Sequence, residues 1–278
     1  MKGEDTVHLV SLYNTYLIFK KDWMEISRNW QVLIPVIVVP VFFSMALPLI
    51  IYIFPLDVSS LGPLQNLFNT LPDYAKQRLE SLSPGQLAFY MVSVFFFAPF
   101  FLVIPLIASS VIASDSFAGE KERKTIESLL ATPISDHSMF LGKMLVSFSA
   151  AMFATLGSFL VYAAVVDVLA LGIFGKPILP DISWLILIFM LAPAVSLASV
   201  GLTVTISAKV KGFREAQQIN AILIIPILIG IFSEAWITVI LGPEALLSLT
   251  LFFVCVDVAM FYIGVKLFKR EDIMAKLT

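Results

Sequence analysis

Long apolar runs separated by short polar stretches dominate the chain, and this pattern predicts an all-α membrane protein. Six runs are candidate transmembrane helices: 33–54, 87–113, 144–171, 184–207, 221–232 and 246–268. The fifth run spans about 18 Å at 1.5 Å per residue, which is short of a hydrocarbon core of about 30 Å. Because Ser233 and Glu234 end it and a second apolar piece follows, the pattern predicts a broken outer segment after the fifth span.

Residues 1–31 precede the first run and carry apolar side chains at spacings of three and four. These are Leu9, Leu12, Tyr16, Phe19, Trp23, Ile26 and Trp30. Charged residues lie between them, so the pattern predicts an amphipathic helix in the headgroup layer, anchored by its tryptophans. The alternative is a surface helix of a small soluble cap, which is disfavoured because about 30 residues cannot bury a core alone.

Lysine and arginine are distributed unevenly between the two sides of the predicted topology. Of the 18 such residues, only Lys76, Arg78 and Lys176 fall on one side. The positive-inside rule therefore predicts cytoplasmic termini in a multi-pass protein of the cell (plasma) membrane. The domain boundaries follow: a six-span domain 32–268 with an outer loop 55–86 and a cytoplasmic loop 114–143, then a cytoplasmic tail 269–278.

Composition supports this topology and disfavours several functional classes. The chain is 59% hydrophobic and 14% charged, whereas a soluble domain carries about 25% charged residues. The sequence contains no basic patch with interleaved aromatic residues, so a nucleic-acid partner is not expected. Cys255 is the single cysteine, which excludes an internal disulfide. The N-terminus lacks an early apolar region, so no cleavable signal peptide is expected.

Motifs of catalysis and cofactor binding are missing from the sequence. There is no G-x-x-x-x-G-K-[ST] loop for ATP and no H-E-x-x-H helix, and His8 and His137 are isolated. No intramembrane nucleophile has a plausible base beside it. We therefore expect no catalytic, cofactor-binding or metal site on this chain.

A polar stretch, 114–135, interrupts the apolar pattern between the second and third runs. Five consecutive charges, 120–124, place it in water. Thr125 is predicted to cap a short helix, Ile126, Leu129 and Leu130 form an apolar stripe at helical spacing, and Pro133 ends it. An exposed apolar stripe favours docking onto a partner. The alternative is a solvated helix face on which Lys124 pairs with Glu120 and Glu127, worth roughly a few tenths of a kcal/mol.

The same stretch resembles the signature of type 2 ATP-binding cassette (ABC) permeases. The matching residues, in order, are Asp115, Gly119-Glu120, Thr125-Ile-Glu127-Ser-Leu129-Leu130, Pro133 and Gly142-Lys143. The segment 207–218 is also similar to the cytoplasmic segment that precedes the fifth span in that family. The resemblance implies a transport subunit, more similar to the sodium, drug and copper branch than to the polysaccharide branch, which does no chemistry itself.

The resemblance also implies partners and site residues. Two copies of a separate ABC ATPase, which hold ATP and magnesium, are expected to dock on a coupling helix between spans two and three. A second permease copy or homologue is expected to complete the pathway of an exporter. The residues implied in coupling are Glu120, Arg123, Lys124, Thr125, Glu127, Leu129 and Leu130. The rival interpretation is a non-transporting sensor, immunity protein or channel without an ATPase, which has no use for a docking helix.

Contact with a second copy has two candidate surfaces. Small residues, which line close helix contacts in lipid, occur in the third and fourth runs at Ala150, Ala154, Gly157, Ala194, Ala198 and Gly201. The resemblance instead implies that spans two and five line the pathway, where the phenylalanine-rich segment 95–101 lies.

Asp257 lies near the middle of the sixth run. A carboxylate at that depth costs about 2.5–3.5 kcal/mol on insertion scales, so we expect it to face protein or water. It either lines a wet pathway and binds a cation or proton, or stays neutral and hydrogen-bonds a hydroxyl of a neighbouring span. Apolar neighbours on its own helix face favour the second interpretation.

Overall fold

A computed structural model describes residues 2–53, 82–241 and 243–267, and the elements in these ranges are all helical. We number them α1 Lys2–Ile26, α2 Trp30–Ile53, α4 Thr125–Leu130, α5 Asp136–Phe174, α6 Ile182–Ser207, α7 Phe213–Leu241 and α8 Pro243–Leu267. Between α2 and α4, α3 consists of the consecutive segments Pro84–Tyr90, Met91–Phe96, Ala98–Phe101, Val103–Ser114, Asp115–Gly119 and Glu120–Glu122. The predicted tail 269–278 and most of the outer loop 55–86 lie outside the described residues.

Five helices in the described ranges are long and apolar enough to cross a membrane: α2, α3, α5, α6 and α8. They correspond to five of the six predicted runs. The helix of the third run begins earlier than the apolar run itself, because α5 starts at Asp136 whereas the run starts near Met144. Ser135 caps this helix by accepting a hydrogen bond from the Ser138 N–H at 3.2 Å, and the polar first turns carry no hydropathy signal.

The sequence predicted a broken outer segment after the fifth run, and this prediction is wrong for the backbone. α7 is one helix of 29 residues that continues through Ser233 and Glu234. A charge lowers the hydropathy of a segment without lowering its helix propensity, and glutamate is a good helix former. At 1.5 Å per residue, α7 is about 43 Å long.

Three of the helices widen into a π-helical turn just before a proline. The turns are Phe42–Ala46, Met91–Phe96 and Leu187–Leu191, and Pro48, Pro99 and Pro193 follow them. Proline has no N–H and its ring collides with the carbonyl four residues earlier, so a wider turn relieves the collision. A fourth π-helical turn, Asp115–Gly119, has no proline after it.

An aromatic core holds the first π-helical turn of α3, Met91–Phe96, in place. Tyr162 and Trp184 are fully buried. The Tyr162 hydroxyl donates to the Ser93 carbonyl at 2.6 Å, and the Trp184 indole N–H donates to the Val94 carbonyl at 2.9 Å. In the widened turn, the Phe97 N–H donates to the Val92 carbonyl instead of the Ser93 carbonyl. The Tyr162 hydroxyl therefore replaces the backbone donor that the Ser93 carbonyl has lost. The core thereby joins α3, α5 and α6.

The N-terminal helix α1 packs along α5 and turns an apolar face outward. A Cβ on Gly142 would lie 2.8 Å from Ile18 Cβ and 2.9 Å from the Thr15 carbonyl oxygen, so only glycine allows this approach. Leu12, Tyr13 and Tyr16 point away and are 68%, 62% and 55% exposed. The outward face of α1 is therefore apolar and aromatic, while its amphipathic character and its place in the headgroup layer stay predictions.

The small residues of α6 pack inside the chain. A Cβ on Gly201 would lie 2.7 Å from Met260 Cβ on α8, and Ala194 and Ala198 are buried. These α6 positions therefore serve an intramolecular contact. On α5, a Cβ at Gly157 meets nothing within 4 Å.

Candidate functional site

Charged residues from three helices meet where α3 ends, and we call them the ionic cluster. Its members are Lys21, Asp22, Glu25, Asp115, Glu120, Arg123 and Lys143. Lys143 Nζ lies 2.7 Å from Glu120 Oε2 and 3.1 Å from Asp22 Oδ2. Lys21 Nζ pairs with Glu120 Oε1 and lies 3.1 Å from oxygens of both Asp22 and Glu25. The cluster therefore joins α1, α3 and α5.

The centre of the ionic cluster is buried. The side chains of Lys143, Glu120 and Asp22 are 0%, 1% and 3% exposed. Buried charges are tolerated only when paired and hydrogen-bonded. Lys143 Nζ also donates to the Ser116 carbonyl at 2.8 Å, and the Ser116 hydroxyl donates to Asp22 Oδ2 at 2.6 Å. The π-helical turn Asp115–Gly119 thus contributes both a carbonyl and a hydroxyl to the network.

Pairing outweighs burial in setting the pKa values of the α1 residues. Burial raises the pKa of the Asp22 carboxyl, but the Lys143 and Lys21 ammonium groups and the Ser116 hydroxyl hold it below its ordinary value. Burial lowers the pKa of Lys21, but the carboxylates of Asp22, Glu120 and Glu25 raise it well above its ordinary value. Both groups are therefore charged at neutral pH.

Three of the carboxylates are close enough to hold a cation. Oxygens of Asp22, Glu25 and Glu120 lie within 4.8 Å of one another. The Lys21 ammonium contacts an oxygen of each of them. The arrangement therefore fits a lysine rather than a metal ion.

Arg123 forms the outer edge of the ionic cluster. Its Nη1 lies 2.9 Å from Asp115 Oδ1, and its Nη2 lies 2.8 Å from Glu25 Oε1. A Cβ on Gly119 would lie 2.8 Å from Asp115 Oδ1 and 3.0 Å from Arg123 Nη1. The Gly-Glu pair of the sequence pattern thus leaves space for an ion pair and supplies the buried carboxylate.

The two residues after Glu120 connect α3 to two further helices. Lys121 Nζ donates to the Ser207 carbonyl at 2.6 Å, where α6 ends. Glu122 Oε2 accepts the Phe213 N–H at 2.8 Å, where α7 begins, and a Cβ on Gly212 would lie 2.5 Å from the same oxygen. A cation at a helix C-terminus and an anion at an N-terminus are both favourable. Glu120, Lys121 and Glu122 therefore bind four helices other than their own.

The short helix α4 lies against the chain by its apolar side. It spans Thr125–Leu130 and follows Lys124, whose φ of 57° is left-handed and turns the chain. Ile126 is 1% exposed and packs with Phe117 and Phe140, while Leu129 is partly buried against the same cluster. The outward face carries Lys124, Glu127 and Ser128.

These positions correct several predictions from the sequence. The apolar stripe does not await a partner, because Ile126 is covered by the chain itself; the Leu130 side chain lies outside what the structure describes. Thr125 does not cap α4, since its hydroxyl donates to the Glu120 carbonyl at 3.4 Å. Glu120 is not a solvated carboxylate and pairs with Lys21 and Lys143 rather than Lys124.

The sequence reasoning missed the roles of Asp22, Asp115 and Lys143 in this site. The sequence placed Lys143 on the cytoplasmic side and in the Gly142-Lys143 match to the family, without indicating that it is buried. Asp22 lies among three charged neighbours on a helix whose outward face is aromatic. A charge on the inner face of α1 and a glycine-lysine pair on α5 were the available signals.

Asp257 is not a member of the ionic cluster and lies on α8, one turn before the Met260 contact with α6. Its side chain is half-buried, and its Oδ1 is buried without a hydrogen-bond partner among the described residues. No described residue therefore supplies the predicted hydroxyl donor at that oxygen.

A family model described as ABC-2 family transporter protein matches residues 16–273, which include the whole ionic cluster and α4. No curated protein and no solved structure matches the chain. The matched range covers most of the chain, and within it lie the five helices of the described residues that are long and apolar enough to cross a membrane. The chain therefore belongs to the ABC-2 family of transporters, as a multi-pass membrane permease.

Proposed function

We propose that this permease is the membrane-spanning subunit of an ABC exporter and that α4 is its coupling helix. The observation that carries the proposal is the set of contacts made by Glu120, Lys121 and Glu122, which join α3 to α1, α5, α6 and α7. In this assembly two ATPase subunits hold ATP and magnesium, and a second permease copy or homologue completes the pathway. The chain itself binds no cofactor.

The outward face of α4 is the contact for the ATPase. Lys124, Glu127 and Ser128 are exposed there, while Ile126 anchors the helix to the rest of the chain. Arg123 directly precedes Lys124 in the sequence and pairs with Asp115 and Glu25. Because buried ion pairs and packed cores transmit displacement rather than absorb it, a push on α4 moves the spans together. Glu120 and Arg123 thus act inside the permease, as positioning residues.

The topology that serves this function has six spans and a cytoplasmic α4. The span that completes the six is α7, the fifth in chain order, whose length of 29 residues suffices to cross a bilayer. An even number of spans leaves both termini on the same side. The excess of lysine and arginine supports the cytoplasm as that side.

Charge reversal on the outward face of α4 tests the proposal. We expect Glu127→Lys combined with Ser128→Arg to reduce co-purification of the ATPase and to abolish permease-dependent ATP hydrolysis. Glu244→Lys is the matched control, because Glu244 is exposed in the first turn of α8, remote from α4. Unchanged recruitment and hydrolysis in the α4 variant would sink the proposal and favour the rival, a membrane component that needs no ATPase.

A further inference from the structure

An open cavity of about 630 Å³ lies where α1 ends and α2 begins. Its wall includes Glu25, Arg28, Asn29, Trp30, Gln31 and Arg123. Asn29 holds the junction together: its Nδ2 donates to Asp115 Oδ1 at 3.2 Å, and its Oδ1 accepts the Gln31 N–H at 3.1 Å. The cavity therefore borders the ionic cluster and shares Glu25 and Arg123 with it.

The two arginines of the cavity differ in how far their charge is compensated. Arg123 is engaged by Asp115 and Glu25. Arg28 is exposed, and it forms no ion pair with any residue in the described ranges. A guanidinium with free donors binds phosphate bidentately. The cavity is therefore suited to an anionic group at Arg28.

An apolar lane runs from the cavity along the outer face of α2. Trp30 is 70% exposed, and Ile34, Val38 and Val41 follow it at helical spacing with 53%, 58% and 50% exposure. Tryptophan is favoured at the membrane–water boundary, and the residues after it lie at the depth of acyl chains. A cation at the head of an apolar lane fits a molecule with an anionic head and a hydrocarbon tail. A soluble phosphate or an acidic protein segment would use the cation and leave the lane uncovered.

We propose that this cavity binds the headgroup of an anionic phospholipid of the cytoplasmic leaflet, with the phosphate on Arg28 and an acyl chain along α2. The proposal rests on the cytoplasmic orientation given in the proposed function. Because Glu25 and Arg123 belong to both the cavity wall and the ionic cluster, the bound lipid lies beside the residues that connect α4 to the spans. The lipid composition of the membrane thereby acts on the coupling segment.

The test uses the full permease without its ATPase, so that its outcome is independent of coupling. The protein is reconstituted in nanodiscs of mixed phosphatidylglycerol and phosphatidylcholine and extracted in detergent, and retained lipid is counted by native mass spectrometry. We expect Arg28→Gln to retain about five-fold less phosphatidylglycerol than the wild type. Arg28→Lys should recover part of the loss. Lys20→Gln removes an exposed cation of α1 that does not line the cavity, and it should retain lipid as the wild type does.

Three outcomes would overturn the proposal. Equal phosphatidylglycerol retention by wild type and Arg28→Gln would show that the cavity binds no lipid. Equal losses in Arg28→Gln and Lys20→Gln would show that surface charge alone attracts the lipid. Displacement of the lipid by millimolar inorganic phosphate would show that the cavity binds phosphate alone and that the apolar lane contributes nothing to binding. Thermal melting of each variant in detergent confirms that it is folded before the lipid is counted.

Discussion

Lys143 on α5 and Glu120 at the end of α3 form a buried ion pair, with Nζ 2.7 Å from Oε2. Each belongs to a glycine-containing pair, Gly142-Lys143 and Gly119-Glu120. Gly142 leaves space for Ile18 of α1, and Gly119 leaves space for the pairing of Asp115 with Arg123. The two parts of the sequence pattern are therefore complementary halves of one contact. That contact lies inside the permease.

Without Lys143, the buried carboxylates of Glu120 and Asp22 have only the Lys21 ammonium to compensate them, and breaking a buried ion pair typically costs about 3–5 kcal/mol. We expect Lys143→Met to lower the thermal midpoint of the purified permease strongly. Adding Glu120→Gln should recover part of the loss, because it removes one of the two carboxylates that would then share Lys21. Lys209→Met, at an exposed position, is the control and should be neutral. Equal melting of Lys143→Met and Lys209→Met would contradict the structure.

The ionic cluster also predicts how stability depends on pH. Asp22 has a pKa below its ordinary value in the folded state, so its contribution is present above the unfolded pKa of about 3.9 and is lost as pH falls. Lys21 has a raised pKa, so its contribution is present below the unfolded pKa of about 10.4 and is lost as pH rises through the higher folded value. Stability should be flat between about pH 5 and pH 10 and fall on both sides.

Substitution of Asp22 tests the loss of stability at low pH separately from the loss of stability at high pH. Asp22→Asn should lower stability at neutral pH and weaken its dependence on pH below about pH 5. Thermal melting between pH 3 and pH 11 measures both effects, with Glu127→Gln as the control for an exposed carboxyl. If the stability of Asp22→Asn fell with decreasing pH as steeply as that of the wild type, other carboxyl groups would be responsible for the acid dependence.

Close packing of α1 on α5 requires glycine at one position of α5 and not at another. Gly142→Ala places a Cβ 2.8 Å from Ile18 and 2.9 Å from a backbone oxygen, so we expect a loss of about 1–3 kcal/mol. Gly157→Ala on the same helix meets nothing within 4 Å and should be neutral or stabilising, because alanine favours helix. Thermal melting of the two variants side by side makes the comparison, and equal effects would refute the close approach.

The orientation is open to a direct labelling test. In a Cys255→Ser background, Glu127→Cys and Lys176→Cys each supply one exposed cysteine, the first on α4 and the second between α5 and α6. A membrane-impermeant maleimide should label position 127 only in inside-out vesicles and position 176 only in right-side-out vesicles. Exchange of the two patterns would invert the topology and remove α4 from reach of a cytoplasmic ATPase.

Asp257→Asn tests whether the intramembrane acid acts by its charge. Its Oδ1 has no hydrogen-bond partner among the described residues, so loss of the carboxylate breaks no contact with them at that atom. We expect transport to continue with an unchanged pH dependence. Lost transport with assembly and ATPase binding intact would instead assign Asp257 to a wet pathway.

The sequence predicted the elements well and the contacts of the candidate site poorly. All six apolar runs lie in long helices, five of which are apolar enough to be candidate membrane spans, and a short helix lies between α3 and α5. Hydropathy predicts these elements because it is a local signal. The burial of Glu120 and Ile126 was not predicted, because it depends on contacts between distant parts of the chain. Glu120 pairs with Lys21 of α1 and Lys143 of α5, and Ile126 packs with Phe117 and Phe140. The continuity of α7 was missed because hydropathy was taken as a guide to where a helix ends.

Glu120, Lys121 and Glu122 are adjacent, yet they point to different helices, so their directions depend on the count of residues after the π-helical turn. Inserting one residue between Gly119 and Glu120 would rotate the following side chains by about 100° about the helix axis. Each would then face a neighbour of the wrong charge or none. This short segment should therefore tolerate conservative exchanges of residue type far better than any change of its length.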